Sequence, residues 1–260
     1  MKILAINSSL RGKKGFSKVL IDRLFDGAES KGAECEVIHL ADLKINRCID
    51  CQVCQRPDHF LKCAFHDKDD VNLIFQKMRK ADLILFATPI YTFGISSLLK
   101  TFIERYYCTA NVSTFHVTKS GLFFHHTDHD ICGKPFAALI VYDNLEDEMY
   151  KNIFSYFKTY AKFSEAEMVG TLIRKSAGMF HSNIKEAKNN PVIDRVFTAY
   201  TQADRELATQ KRISTSTEKK ANEPIIKIPF FVKLMLKLGI GRDKIVDAHR
   251  KIMKAVIKRD

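Results

Sequence analysis

The chain has 260 residues, 46% of them apolar, enough to bury one large core and carry an extension. No apolar run approaches the roughly 20 residues that span a bilayer, and the six-residue run at the N-terminus is too short for a secretory leader, so the protein is expected to be soluble and cytoplasmic. Of the net charge of +12, +7 falls between Pro224 and Asp260, where ten Lys/Arg meet three Asp; the rest is only mildly basic, which argues against a nucleic-acid-binding protein.

Met1 to Ile6 is an apolar run of the kind that forms a buried parallel strand. It feeds Asn7-Ser8-Ser9-Leu10-Arg11-Gly12-Lys13-Lys14-Gly15-Phe16-Ser17, and then a helical pattern through Val19, Leu20, Leu24 and Phe25. A loop of hydroxyls, glycines and basic residues between a strand and a helix N-terminus suits a phosphate group, although it is neither a Walker loop nor a dinucleotide fingerprint. An ordinary polar turn has the same composition. Gly32 stops the helix, and 35–40 alternates as a second strand.

Residues 42–67 show no sustained period and hold four of the seven cysteines: Cys48, Cys51, Cys54 and Cys63. Seven cysteines in a reducing compartment are poor material for a disulfide framework. Two Cys-x-x-Cys steps in tandem, with a later fourth thiol, are the local spacing of a [4Fe–4S] centre. A structural zinc or four unligated thiols are the competing readings. Cys35, Cys108 and Cys132 fall in or beside expected elements and are read as inert core residues.

Asp69 and Asp70 can cap a helix over Val71, Ile74, Phe75 and Met78, and 81–88 reads as a third strand buried on both faces. Pro89-Ile90-Tyr91-Thr92-Phe93-Gly94 ends it, either as a simple terminator or as a loop whose aromatics and amides meet a flat ring. A helix follows through Leu98, Leu99, Phe102, Ile103 and Tyr106. Residues 107–133 are expected to be irregular. Their His125, His126 and His129, with Asp128 and Asp130, read as a solvated loop or as metal donors.

A fourth strand at 135–142, a helix at 149–160, a fifth strand at 166–173 and a long helix from Pro191 to Gln210 complete the pattern. Alternating strands and helices predict a parallel sheet covered on both faces, with ligands at the carboxyl ends of its strands. Residues 213–223, rich in Ser, Thr and Lys, read as a linker between a domain at 1–212 and a tail at 224–260. In the tail Phe230, Leu234 and Leu238, then Ile245, Ala248, Ile252 and Val256, have helical spacing. This basic amphipathic segment is read as docking on the domain or a second copy, as resting on a membrane surface, or as meeting an acidic partner.

Together these stretches resemble the flavodoxin-like NAD(P)H-dependent FMN reductases, and within them the iron–sulfur flavoproteins, over about residues 1–175. The likeness lies in Asn7-Ser8-Ser9-Leu10-Arg11 with Ser17, in Thr88 to Gly94 with the helix Leu99-Lys100-Thr101-Phe102-Ile103-Glu104-Arg105, and in the compact cysteine run. It implies a flavodoxin-like doubly wound sheet of five parallel strands, order 2-1-3-4-5, here extended by a basic helical tail. It also implies that Ser9, Arg11 and Ser17 hold the FMN phosphate, that Pro89, Ile90, Tyr91, Thr92, Phe93 and Gly94 lie against the isoalloxazine, and that Cys48, Cys51, Cys54 and Cys63 hold a [4Fe–4S] cluster. The implied activity is electron transfer from NAD(P)H, or from an acidic donor such as ferredoxin, to a quinone or small electrophile. The assembly implied is a dimer or tetramer. No side-chain acid or base is needed, so no catalytic residue is assigned. An electron carrier of the same fold and a zinc-stabilised interaction protein are the rival readings.

Overall fold

In a computed structural model, which describes residues 1–180, 190–247 and 250, five parallel strands form one sheet. They are β1 (Lys2–Asn7), β2 (Glu34–His39), β3 (Leu83–Pro89) and, after a separate antiparallel pair β4 (Ala110–Val117) and β5 (Phe123–Thr127), β6 (Phe136–Val141) and β7 (Met168–Arg174). The order is β2-β1-β3-β6-β7, which is 2-1-3-4-5 among the sheet strands. The helices are α1 (Phe16–Glu29), α2 (Val71–Lys80), α3 (Ser97–Glu104), the single turn α4 (His129–Cys132), α5 (Glu148–Phe163), α6 (Pro191–Gln210), α7 (Thr215–Ala221) and α8 (Phe230–Lys237).

The period-2 geometry of a strand sends alternate residues to opposite layers. Ile3 and Ala5 of β1 join α1 and α6 in one core, with Leu20, Leu24, Val196 and Tyr200 fully buried. Leu4 and Ile6 join α2, α3 and α5 in the other, around Phe75, Phe102 and Phe157. In that second layer Phe86, Phe136, Phe157 and Tyr160 form a ring cluster with centroids 5.4–6.0 Å apart. Full burial of each such side chain contributes roughly 1.5–3 kcal/mol. On the first layer α1 and α6 touch closely at Gly27, where an added Cβ would lie 2.1 Å from the Thr201 carbonyl oxygen.

A buried acid sits at that helix pair. Asp204 is inaccessible to solvent; its Oδ2 accepts from the Ala28 amide at 3.0 Å, and its Oδ1 has no partner. Burial pushes the carboxyl up to about 7, the Ala28 amide opposes this, and Glu29 adds to it. The folded chain therefore holds a proton that the unfolded chain releases near pH 4. The stability tied to that proton is complete below pH 4 and is lost as pH rises towards 7, a difference of about 4 kcal/mol. Asp204→Asn is expected to raise the melting temperature at pH 8 and to leave it nearly unchanged at pH 4. Equal shifts at both pH values would contradict this.

Two stretches differ from expectation. Residues 107–133 are ordered rather than irregular: a 3-10 turn (Arg105–Thr109) leads into the β4–β5 hairpin, and α4 closes the segment. A register shift between Asn111 and Phe115 breaks the alternation along β4, which removes the pattern by which a strand is read. Residues 213–223, read as a linker, contain the packed helix α7 (Thr215–Ala221). Ser214 caps α7 by accepting from the Thr217 amide, while Glu206 accepts from the Ser214 amide and the Thr217 hydroxyl. Glu218 then accepts from the Thr171 amide and Asn222 from the Ile173 amide, both at 2.6 Å. The polar residues that suggested a linker satisfy the open edge of β7. Fully buried Arg174 locks the junction by donating to the carbonyls of Ala221 and Glu223.

Candidate functional site

The loops after β1, β3 and β6 leave the sheet at one edge. The Ser8 amide and hydroxyl both donate to the Ala87 carbonyl at 2.9 Å, and the Ile90 amide donates to the Val141 carbonyl at 2.9 Å. Asn7, inaccessible at the end of β1, braces the first loop. Its Nδ2 donates to the Gly12 carbonyl at 3.2 Å and meets His39 Nδ1 at 2.9 Å, and its Oδ1 accepts from the Ser9 amide at 3.1 Å. Burial lowers the His39 pKa, which keeps the ring neutral and its Nδ1 able to accept from Asn7.

Ser9 and Ser17 are buried, Arg11 is exposed, and Gly12 takes the left-handed φ of +50° that turns the chain back. At Gly15 a Cβ would lie 2.3 Å from the Ser9 hydroxyl, so glycine leaves room for that hydroxyl beneath the start of α1. No side chain caps α1 and no acid lies in its first turn, while Lys13 and Lys14 are exposed beside it. A helix N-terminus of positive potential, buried hydroxyls and exposed cations form a cradle that fits a phosphate.

On the neighbouring loop Tyr91 and Gly94 exchange backbone hydrogen bonds at 3.1 and 3.2 Å, which puts Thr92 and Phe93 at the centre of a two-residue turn. Both have left-handed backbones, φ of 45° and 66°. Such a turn ordinarily takes Asn-Gly, and a β-branched threonine there stores strain of about 1–3 kcal/mol. The turn presents Phe93, 65% exposed, and Tyr91, 37% exposed, while Ile90 stays buried. Thr88 Oγ1 accepts from the Ser96 amide, and Ser96 caps α3.

The third loop, Tyr142 to Asp147, holds no glycine; its Asp143 accepts from the Gly178 amide at 2.8 Å.

Cys48, Cys51, Cys54 and Cys63 line one cavity together with Arg105, Tyr107 and Cys108. Asp50, Gln52 and Leu61 have left-handed backbones, so the chain reverses direction on both sides of Cys51. Tyr107 donates to the Gln52 side chain at 2.6 Å, and Gln55 exchanges hydrogen bonds with the backbone of Ala110 and Val112. Beneath the cavity lies a buried ion pair between Arg105 and Asp69, 2% and 0% exposed. Arg105 also donates to the Asn46 carbonyl at 2.8 Å and to Cys63 Sγ at 3.2 Å, and its Nε has no protein partner. Burial works most strongly against the guanidinium charge, but the hydrogen bond to Asp69 and the charge interactions with Cys63, Asp69 and Cys108 together outweigh it and raise the pKa.

The donor chemistry, four thiols around a cavity floored by a fixed cation, suits an anionic thiolate centre. Yet among the described residues no three Cys, His, Asp or Glu side chains converge as ligands of one metal ion. The four cysteines share a cavity without closing on a point. Burial pushes the thiols of Cys35, Cys108 and Cys132 up to about 12, in keeping with their reading as inert core. Cys108 nevertheless lines the cysteine cavity. The histidines do not converge: His125 and His126 bond to Thr114, and His116 stacks on His126 at 4.7 Å while pairing with Glu165.

Sequence reasoning gave Asn7 and Arg105 no individual role and read Asp69 only as a helix cap; Asp69 Oδ1 does accept from the Val71 amide at 3.2 Å, while Asp70 makes no side-chain cap. Arg105 closes the Leu99–Arg105 stretch, but no local signal marks it as reaching back to the cysteines.

A five-stranded parallel sheet of order 2-1-3-4-5, with its loops gathered at the carboxyl edge, defines a flavodoxin-like α/β protein with a helical C-terminal extension. The model of the NADPH-dependent FMN reductase family matches residues 1–141, and the chain belongs to that family. It is 35% identical over 105 residues to an iron–sulfur flavoprotein of Methanocaldococcus jannaschii, covering 40% of this chain and 51% of that protein. An iron–sulfur flavoprotein of Archaeoglobus fulgidus is 34% identical over 105 residues, 40% of this chain and 48% of that protein. The chain thus spans about half the length of these curated relatives. Among solved structures, the FMN-dependent NADH-azoreductase of Bacillus anthracis in complex with FMN superposes with a TM-score of 0.57 at 15% identity, over 80% of this chain and 99% of that one. At that identity the superposition speaks for the fold alone. Among the described residues no helix is long and apolar enough to cross a membrane.

Proposed function

We propose that this chain is an FMN-dependent oxidoreductase that takes electrons from NAD(P)H, or from a ferredoxin-type donor, and delivers them to a quinone or a small electrophile. The observation that carries this reading is the pairing, on adjacent strands, of a phosphate-type cradle at Ser9–Ser17 with the strained aromatic turn at Tyr91–Gly94. Ser9, Arg11 and Ser17 would hold the FMN phosphate. Residues Pro89 to Gly94 would line the ring, with Tyr91 or Phe93 stacked on it. Cys48, Cys51, Cys54 and Cys63 would hold a [4Fe–4S] cluster. FMN accepts electrons in pairs or singly and a cluster passes them singly, so the two together link a hydride donor to one-electron chemistry.

The protein's own part is positional. Asn7 fixes the loop that carries Ser9 and Arg11. The two αL residues at 92 and 93 hold their side chains out from the sheet edge. Arg105 sets a fixed positive charge and a hydrogen-bond donor beside Cys63, which would offset the negative charge of a thiolate-held centre. Residues 1–212 are proposed as the FMN-binding unit, with α7 completing its sheet edge and 224–260 as the appended tail. A homo-oligomer is proposed, in keeping with the exposed Leu10, Tyr91 and Phe93 at the site.

Steady-state consumption of NADH or NADPH by the FMN-loaded chain, with a soluble quinone as acceptor, tests the activity. Quinone-dependent turnover is expected. Flavin that is bound and reduced once, without turnover for any quinone or dye, would instead make the chain an electron carrier.

A further inference from the structure

Helix α8 has an unusual division of faces. Its half-buried residues are Val232 and Leu236, and Lys233 pairs with Glu146 of the main body at 2.6 Å. The other apolar side chains point away: Phe230 is 81% exposed, Phe231 61%, Leu234 48%, Met235 40% and Leu238 66%. At helical spacing these five occupy one arc of about 140°. Ile240 and Ile245 extend the exposed apolar run beyond the helix, and residues 242–247 are again helical. The rest of the tail's repeat, Ala248, Ile252 and Val256, and the charges of Lys251, Lys254, Lys258, Arg259 and Asp260, lie outside the described residues.

An exposed stripe of this kind calls for a cover, and charge decides among the covers. Along this segment the described cations are Lys227, Lys233, Lys237, Arg242, Lys244 and Arg250 against Asp243 and Asp247, with Lys233 paired to Glu146, Lys227 3.9 Å from Glu223 and Arg250 paired to Asp247. A second copy of a chain with net charge +12 brings like charge to this surface. An anionic lipid surface brings both an apolar layer for the phenylalanines and opposite charge for the lysines.

We propose that α8 and residues 239–247 lay the protein on an anionic lipid surface, with Phe230, Phe231, Leu234 and Leu238 inserted and the flanking Lys and Arg against the headgroups. Lys233 ties α8 to Glu146 of the third edge loop, but vesicle binding is read without any flavin chemistry, so the proposal does not depend on the activity assigned above.

The test is co-sedimentation of the full chain with vesicles of phosphatidylcholine alone, or of phosphatidylcholine mixed with phosphatidylglycerol. Binding is expected to the mixed vesicles, weakly to the neutral ones, and to fall as salt is raised. Phe230→Ser with Phe231→Ser is expected to weaken binding by at least about tenfold. Lys237→Gln with Lys244→Gln is expected to weaken it by about fivefold per residue. All four positions are exposed, so the fold should survive, and thermal melting verifies that it does. The proposal is overturned by absence of binding to anionic vesicles at low salt, by equal binding to neutral ones, or by binding that the phenylalanine variant leaves intact. It is also overturned if the wild type is a dimer that Phe230→Ser with Phe231→Ser dissociates, since a second copy then covers the stripe.

Discussion

Arg105→Met is expected to destabilise the protein by about 3–5 kcal/mol and to lower its iron content below that of the wild type. The substitution keeps most of the side chain's volume but leaves Asp69 charged and inaccessible, without its partner. It also removes the hydrogen bonds to the Asn46 carbonyl and to Cys63, which tie both ends of the cysteine loop to the end of α3. Denaturant unfolding and iron analysis on the same preparation read the two effects. Adding Asp69→Asn should restore part of the stability but not the iron, because it removes the stranded charge without replacing the bond to Cys63. Iron content equal to the wild type in Arg105→Met would remove Arg105 from the account of the cysteine centre.

Asn7→Ala should act mainly on the flavin. The deletion removes the bonds of Asn7 to the Ser9 amide, to the Gly12 carbonyl, which still accepts from the Gly15 amide, and to His39. At about 1–3 kcal/mol for each buried group left unmade, the loop is expected to open, with FMN affinity falling about a hundredfold. Fluorescence titration of the apoprotein with FMN reads this directly. His39→Ala, which touches only one of the three contacts, should cost far less. Unchanged FMN affinity in Asn7→Ala would mean that this loop does not hold the phosphate.

The sheet was legible in the sequence because strands buried on both faces read as continuous apolar runs. Ile3–Ile6, Leu83–Ala87 and Phe136–Val141 are such runs, and each is a strand with essentially every apolar residue buried. Helix α6 has the bounds read for it, Pro191–Gln210; the structure adds that Asn190 caps it by accepting from the Val192 amide and that a left-handed Lys211 closes it. What escaped notice depends on distant partners. The β4–β5 hairpin hides behind a register shift, and α7 hides behind a composition that only makes sense once Glu218 and Asn222 meet the edge of β7. The loops of the candidate site were visible as residue types, yet their supports were not. Asn7 stood as one polar residue in a polar turn, and Arg105 as the last residue of the Leu99–Arg105 helical stretch. Each becomes distinctive only where the fold brings it against the loop it braces.

The most direct test of the account is anaerobic purification of the full chain, followed by a visible spectrum and by iron, sulfide and zinc analysis. The account predicts paired flavin bands, a broad brown shoulder, and about four irons with matching sulfide per chain. A colourless protein with neither flavin nor iron, or one carrying zinc in their place, would contradict it.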